Sequence, residues 1–503
     1  MSVLVLGAGV SELVCAHTLA RSGRRVLVLE DRAEREALSL DRGWVPPRLV
    51  RELALGPRGP STGSGQGPSA GSGHGLRILC PDPWAAAPLP GGGRLELWRD
   101  LARSVAAIRR VSPRDAAKWP EFCERMRRLA RLLEHLYLQP PPDPMSHAIG
   151  DLVQLAALGF RARRAGRQGI EDLLRLLPMS VADWLDEWFE NDALKGVLGA
   201  AGVMHLRQGP RSGGTAFVLL HHHVGSPAGV FRPPLSNLRQ VLAGLPGVEI
   251  RRGAGVARID VRNGRVAGVA LASGEEIPAS LVVSGADPRR TLLELADPGW
   301  LDPEAARALK RVRCRGVAAR VRLALERASA CPRLVVAPSL DYLERAYDDA
   351  KYGRLSRRPF VEAVSAGAGA DGRQRLEAHV QYAPYALADG EWSDERRRAL
   401  GDLVRGVFSL HLPDLDGAVV EQVLSPRDLE ERYGYPEGQE HHAELALDQA
   451  LWMRPVPALA RYHTPIEGLY LCGPSTHPGG SVSGVPGYNA ARAIGRDLRR
   501  RDS

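Results

Sequence analysis

The sequence predicts an α/β protein: a parallel-sheet domain built from both ends of the chain, interleaved with a second, α+β domain. Three observations predict it. The N-terminus reads strand, glycine turn, helix, strand; the C-terminus reads strand, glycine-proline loop, helix; and between them the apolar period changes from helical to strand-like. At 503 residues, 44% of them hydrophobic, the chain exceeds one hydrophobic core and has the apolar content for two.

Val3 to Leu6 is an all-apolar run suited to a strand buried on both faces. Gly7-Ala8-Gly9-Val10-Ser11-Glu12 follows, then a helix to about Ser22, Gly23 as its C-cap, and a second strand from Val26 to Leu29 closed by Glu30. This is the context a dinucleotide fingerprint requires, with an acid roughly 20 residues on for a ribose hydroxyl, and it makes Gly7, Gly9, Val10, Ser11 and Glu30 candidate cofactor-binding residues. Glycine spacing alone is weak evidence. Gly367-Ala368-Gly369-Ala370-Asp371-Gly372 satisfies it better, yet lies between two strand-like runs, Phe360 to Val364 and Leu376 to Tyr382, and so reads as a hairpin loop.

Gly56 to Gly75, almost wholly Gly, Pro, Ser and Thr, reads as a flexible surface insertion. Strands are expected at Leu76 to Leu79 and Leu95 to Trp98, and helices over Asp100 to Arg109 and Pro113 to Leu138. The Pro-rich Gln139 to Pro144 marks a boundary, beyond which Met145 to Met204 is helical. Within it, His147 to Phe160 is apolar on more than one side and runs into Arg161, Arg163, Arg164 and Arg167. One reading is a helix lying on an anionic membrane or lining an entry for a greasy substrate; the plainer one, a core helix with a solvated basic end, is favoured. Ser180 is a good N-cap for a structural helix that buries Val181, Trp184, Leu185 and Trp188. From Val248 the period changes: Val248 to Ile250, Val256 to Val261 and, after a turn at Asn263-Gly264, Val266 to Leu271 read as a small sheet. Leu281 to Ser284 leads back to the first domain, and Val312 to Val423 supplies the sheet of the second.

Near the C-terminus, Leu469 to Cys472 is a short buried strand ending in Gly473. The loop after it holds Gly479, Gly480, Gly484 and Gly487, with Pro486 in the first turn of a helix through Ala490, Ala491 and Ile494. A helix start offers unpaired N–H groups and a positive dipole end. The electron-rich pyrimidine edge of a reduced flavin suits that place.

The two ends together resemble the FAD-dependent amine oxidase, phytoene desaturase and carotenoid isomerase superfamily, close to the pyridine nucleotide-disulfide oxidoreductase domain-containing protein 2 group. Further matches follow in order: Ser180 to Phe189 (SVADWLDEWF), Gly209 to Ala216 (GPRSGGTA), Val282 to Pro288 (VVSGADP), Arg454-Pro455, Tyr462 to Ile466 (YHTPI) and His477 to Gly480 (HPGG). The resemblance implies a Rossmann-like FAD-binding domain of the glutathione reductase type, interleaved with an α+β substrate domain. On that pattern residues 1–140, 236–300 and 441–503 build the FAD domain, and 141–235 and 301–440 the substrate domain. It also implies that Val256 meets the adenine through its backbone, an ordinary hairpin valine being the equal alternative, and that Gly473, Gly484 and Val485 close on the flavin.

Three departures fall where the cofactor should touch. Glu12 holds the place of the third fingerprint glycine, and a carboxylate about 4 Å from a phosphate charge costs roughly 4 kcal/mol at an effective dielectric of about 20. A helix N-terminus returns only about 0.3 to 1 kcal/mol to a nearby acid, so Glu12 must turn away, shift the helix or mark a weakened site. Glu36-Ala37 stands where relatives carry a glycine pair, and Pro233-Pro234-Leu235-Ser236-Asn237 replaces another. FAD is the expected cofactor, and these three contacts are where its binding departs from the pattern.

Composition narrows the alternatives. The net charge is +9, but all but four of the 67 basic residues are arginine, and no nucleic-acid motif or basic–aromatic stripe accompanies them, so nucleic acid is not an expected partner. The six cysteines are scattered, with no CxxC pair, which reads as reduced thiols in a cytoplasmic protein. His221-His222-His223 and His441-His442 lack carboxylate partners at ligand spacing; in a strand, alternating neighbours would face opposite ways, so no metal is assigned. His477 reads as a loop-stabilising histidine or one that touches cofactor or substrate, and Arg454 as an ion-pair or cavity residue. No general base is assigned. The expected function is hydride transfer from a hydrophobic, isoprenoid or polyene-like substrate to flavin N5, with oxygen or a quinone as acceptor and peripheral membrane contact as an option. A reduced-flavin isomerase and a scaffold that has lost its cofactor are the alternatives.

Overall fold

A computed structural model describes residues 2–32, 40–56, 75–143, 149–326, 331–369, 371–411 and 417–502. Most of the insertion expected over 56–75, and Glu36-Ala37, lie outside the described residues.

The first domain is built on a five-stranded parallel sheet. Its strands run, in spatial order, Leu469–Leu471, Leu281–Ser284, Ser2–Leu6, Arg25–Glu30 and Glu249–Arg252. The three inner strands are nearly all Val and Leu because both faces are covered. The Val10–Arg21 and Val485–Asp502 helices pack against each other on one face, so closely that a Cβ on Gly487 would overlap the Ser11 carbonyl. The two ends of the chain therefore meet in space, as their patterns predict.

Glu249–Arg252 corrects one expectation. It joins this sheet beside Arg25–Glu30, while the small antiparallel sheet consists of Val256–Arg262, Arg265–Leu271 and Glu276–Pro278. Asn263 (φ +51°) and Gly264 (φ +74°) form its turn, the left-handed pair a two-residue hairpin demands.

The second domain has a seven-stranded sheet in the order Val419–Leu424, Ala318–Leu325, Gln374–Gln381, Phe360–Ala368, Arg333–Val336, Ala85–Pro88 and Arg94–Leu97. Its last two strands come from the stretch the sequence pattern assigns to the FAD domain. The Leu101–Arg109 and Pro113–Tyr137 helices likewise join the helical core of the second domain, with Trp119, Phe122 and Trp184. Alanine-rich Ala85–Pro88 carries no domain signature in sequence; its pairing to Leu334 decides its place. The Phe360–Ala368 and Gln374–Gln381 strands pair antiparallel around the second glycine motif, which is a hairpin.

The helix Ile149–Leu176 departs most from expectation. The sequence favours a core helix, but its N-terminal half lies on the surface with most of its large apolar residues outward. Asp151 turns in, pairing with Arg461 at 2.8 Å.

Candidate functional site

The first strand ends at Leu6, and the chain leaves it over Gly7 at φ +96°, a conformation that strains any L side chain. Gly9 caps the following helix without a side chain, so the first N–H groups of that helix, those of Val10 and Ser11, have no partner within it. One strand over, Glu30 turns its carboxylate back to accept the Ala8 N–H at 3.1 Å. Arg239 Nε donates to the Ala8 carbonyl, also at 3.1 Å. It stands just after the prolines that replace the family's glycine pair, and Leu235–Ser236 of that segment forms a short strand between Asp41–Arg42 and Ile78–Leu79.

A cleft of about 260 Å³ runs along the carboxyl ends of the parallel strands, where ligands of such sheets bind. Gly7, Gly9, Val10, Ser11, Glu30, Val256 and Gly484 all line it. Gly473 and Val485 do not. Gly473 packs on strand-end Gly285, and the Val485 side chain is fully buried in the helical core while its N–H donates to the Val482 carbonyl at 3.3 Å.

Glu12 also lines the cleft, 4% exposed. Its carboxyl folds back over the glycine turn: a Cβ on Gly9 would come within 2.5 Å of Oε2, and one on Gly285 would overlap Oε1. The side chain thus occupies the crease between turn and strand end that glycine leaves empty.

The rest of the cradle fits a dinucleotide. Gly484 (φ +74°) has no room for a side chain, a Cβ there meeting Val14 at 2.6 Å, and it draws the closing loop down onto the first helix. The outward N–H groups of that helix offer an anion its phosphate site. Glu30 and Val256 stand at one end, and the Gly479–Gly484 loop at the other.

That inner end is polar, which the sequence does not announce. His205 and His441 pack at a tilt with ring centroids 4.6 Å apart, and His379 lies edge-on to His205 at 4.7 Å. Arg320 grips Glu440 with two bonds of 2.7 and 2.6 Å. Burial, reinforced for each ring by its histidine neighbour, pushes His205 and His441 well below the ordinary imidazole range, while Glu440 pulls the other way. Both rings are therefore neutral at pH 7. His441 Nδ1 is buried without a hydrogen-bond partner, and Nε2 lies 3.4 Å from the Ser481 hydroxyl. His205, His442 and Ser481 all line the cleft with φ near +60° (+61°, +56° and +61°), a strained conformation for such residues and one that clusters at functional sites. Behind them Glu362, fully buried, accepts from Arg42 and Arg232 at 2.6 Å each. Burial would raise this carboxyl, and Arg232, Arg42 and Arg333 overrule it and hold it far below the carboxylate range.

The remaining polar candidates are structural. His221-His222-His223 ends the helix Thr215–His223 rather than lying in a strand, and His221 bridges the Tyr137 hydroxyl and the Gly480 carbonyl at 2.8 Å each. Among the described residues no cluster of His, Cys, Asp or Glu is placed to hold a metal. His477 Nε2 bonds the Leu136 carbonyl at 3.0 Å. Arg454 bonds carbonyls rather than a carboxylate: its buried guanidinium donates to those of His441, Ala443, Glu444, Gln449 and Pro474, stapling the loop that carries His441 to the cofactor-side segment.

Comparison with known proteins agrees with this geometry. The chain is 28% identical to rat pyridine nucleotide-disulfide oxidoreductase domain-containing protein 2, covering 99% of this chain and 93% of that one. It is also 28% identical to hydroxyneurosporene desaturase of Cereibacter sphaeroides, with 99% and 98% covered. A solved putrescine oxidase variant shares the fold at a TM-score of 0.59 and 15% identity, each chain 99% covered. The sequence profile described as "Flavin containing amine oxidoreductase" matches residues 80–494. The chain belongs to the flavin-containing amine oxidoreductases and is an FAD-dependent oxidoreductase.

Proposed function

We propose that this chain oxidises a carbon–hydrogen bond of a hydrophobic organic substrate held at the inner end of the FAD cleft. When bound, FAD supplies a two-electron acceptor, with oxygen or a quinone as the terminal oxidant. The protein contributes position, exclusion of water and a proton site. The observation that carries the reading is the meeting of the Gly479–Gly484 loop with the His205–His441 pair at the inner end. With the neutral ring's proton on Nε2, toward the Ser481 hydroxyl, the unpartnered Nδ1 of His441 is the nitrogen that would accept the proton leaving as the substrate is oxidised. Glu440, locked by Arg320, then stabilises the charged imidazole. A relative named hydroxyneurosporene desaturase supports the reading of a desaturase-like oxidation; the polar inner wall serves the reacting centre.

The test is anaerobic mixing of the FAD-loaded protein with isoprenoid alkenes, alcohols and amines, following the visible flavin band. Bleaching by an isoprenoid supports the proposal, and His441→Ala should keep the bound flavin while slowing bleaching about 10²-fold or more. Bleaching by amines alone, or an unaffected His441→Ala, would overturn the substrate class or the proton site respectively.

A further inference from the structure

The helical segment Ile149–Leu176 breaks at Gly166 (φ +75°), and the part before the break presents an apolar stripe to solvent. Ile149 is 80% exposed, Val153 61%, Phe160 57% and Leu152 49%. With Ala156, also exposed, these residues follow the spacing of a single helix face. The opposite side is accounted for, since Leu158 packs on the helical core and Asp151 is tied to Arg461. Isolated exposed apolar residues need no explanation, whereas an aligned row of four large ones on an anchored helix does.

Arg163, Arg164 and Arg167, all exposed, follow directly after the stripe, and Arg164 lies over the Phe160 ring at 4.9 Å. Arg128 and Arg131 of the neighbouring helix border the same shallow depression as Arg164. Nearby acids are fewer than the arginines: Glu171 pairs with Arg167, Asp172 with Arg125, Glu124 lies 4.0 Å from Arg128, and Glu134 lines the depression. The face thus runs from an apolar patch into a cationic one.

We infer that this face docks on an anionic lipid bilayer, with Leu152, Val153 and Phe160 entering the headgroup–acyl boundary and the arginines holding lipid phosphates. Charge selects this occupant over a second copy of the chain. Stripe on stripe in parallel would set arginines against arginines, and in antiparallel would carry them past the end of the partner's stripe, where Asp151 is already tied to Arg461, so neither pairing gives them a counter-charge. An anionic membrane supplies both an apolar layer and a negative surface at matching depths. Among the described residues no helix is long and apolar enough to cross a membrane, so the contact is peripheral.

Sedimentation of the full-length protein with vesicles tests this. Phosphatidylglycerol–phosphatidylcholine vesicles should bring the protein down, pure phosphatidylcholine far less, and raised salt should release it. Replacing Arg163, Arg164 and Arg167 by Gln should weaken binding about fivefold per arginine. Leu152→Gln/Val153→Gln/Phe160→Gln should abolish it; because these side chains are exposed, the variant folds, which an unchanged circular-dichroism melt verifies. No sedimentation with any vesicle, or equal binding by either variant, would overturn the inference. So would a concentration-dependent dimer that the apolar variant dissolves, which would assign the face to a second copy. None of these readouts depends on the substrate reading.

Discussion

Glu12 gives the sharpest quantitative prediction. Its carboxylate fills the crease between Gly9 and Gly285, on the side of the first helix that would hold a dinucleotide's pyrophosphate. A unit charge about 4 Å from a phosphate charge opposes binding by roughly 4 kcal/mol at an effective dielectric of 20, nearly three decades in affinity. Arg239 and Arg290 line the same cleft and offset part of this, so three decades is the ceiling. Glu12→Gln removes the charge and keeps the volume; it should tighten FAD binding by about 10- to 1,000-fold. Glu12→Gly, which also empties the crease, should tighten it at least as much. Stability of the FAD-free protein should move the other way, because the acid at the helix N-terminus contributes about 0.3 to 1 kcal/mol. The assay is FAD fluorescence titration of parent and variants at low and high salt, with thermal melts alongside. Dissociation constants within twofold of the parent for both variants would refute the argument that Glu12 opposes the cofactor.

Three further outcomes follow from buried charge. His222, His223 and His477 are each lowered by burial to about 4, against 6.5 unfolded, so the stability of the neutral rings is present above pH 6.5 and lost as pH falls from 6.5 toward 4. Denaturant melts should show stability dropping by up to about 1.4 kcal/mol per pH unit per histidine between pH 6 and 4, and a flat profile there would contradict the burial. Arg454→Ala takes the donor from four buried carbonyls and the half-buried one of Pro474 and should cost about 3 to 5 kcal/mol, with Arg454→Lys recovering little because an ammonium cannot span them; the thermal midpoint reads both. Glu362→Gln leaves Arg42, Arg232 and Arg333 without their shared anion and should cost a similar 3 to 5 kcal/mol by denaturant titration.

The parts of the fold readable in sequence are those set by local chemistry. Val and Leu runs mark the inner strands, glycine marks the turns at Gly7 and Gly484, and Ser180 and Asp100 cap their helices through side-chain bonds to the third backbone N–H. What the pattern hid depends on distant partners. Ala85–Pro88 is apolar and short enough for either domain, and only pairing with Leu334 places it. Glu249–Arg252 alternates too weakly to show that it edges the parallel sheet. The His147–Phe160 stretch is read as core because apolar side chains usually face inward, and from Ile149, where the described residues resume, most of the large ones face solvent. The candidate site was half legible. The phosphate turn and closing loop carry glycine signatures, whereas His205, Arg320 and Glu440 come from unrelated segments with no spacing to connect them.

The central claim is that both ends of the chain close one cleft on FAD. The most direct measurement is the visible absorption spectrum of the natively purified chain, before and after titration with FAD, with bound flavin quantified per chain. The account predicts an oxidised-flavin spectrum that perturbs on binding and saturates at about one FAD per chain. A colourless, folded protein that takes up no FAD, even as Glu12→Gly, would contradict it.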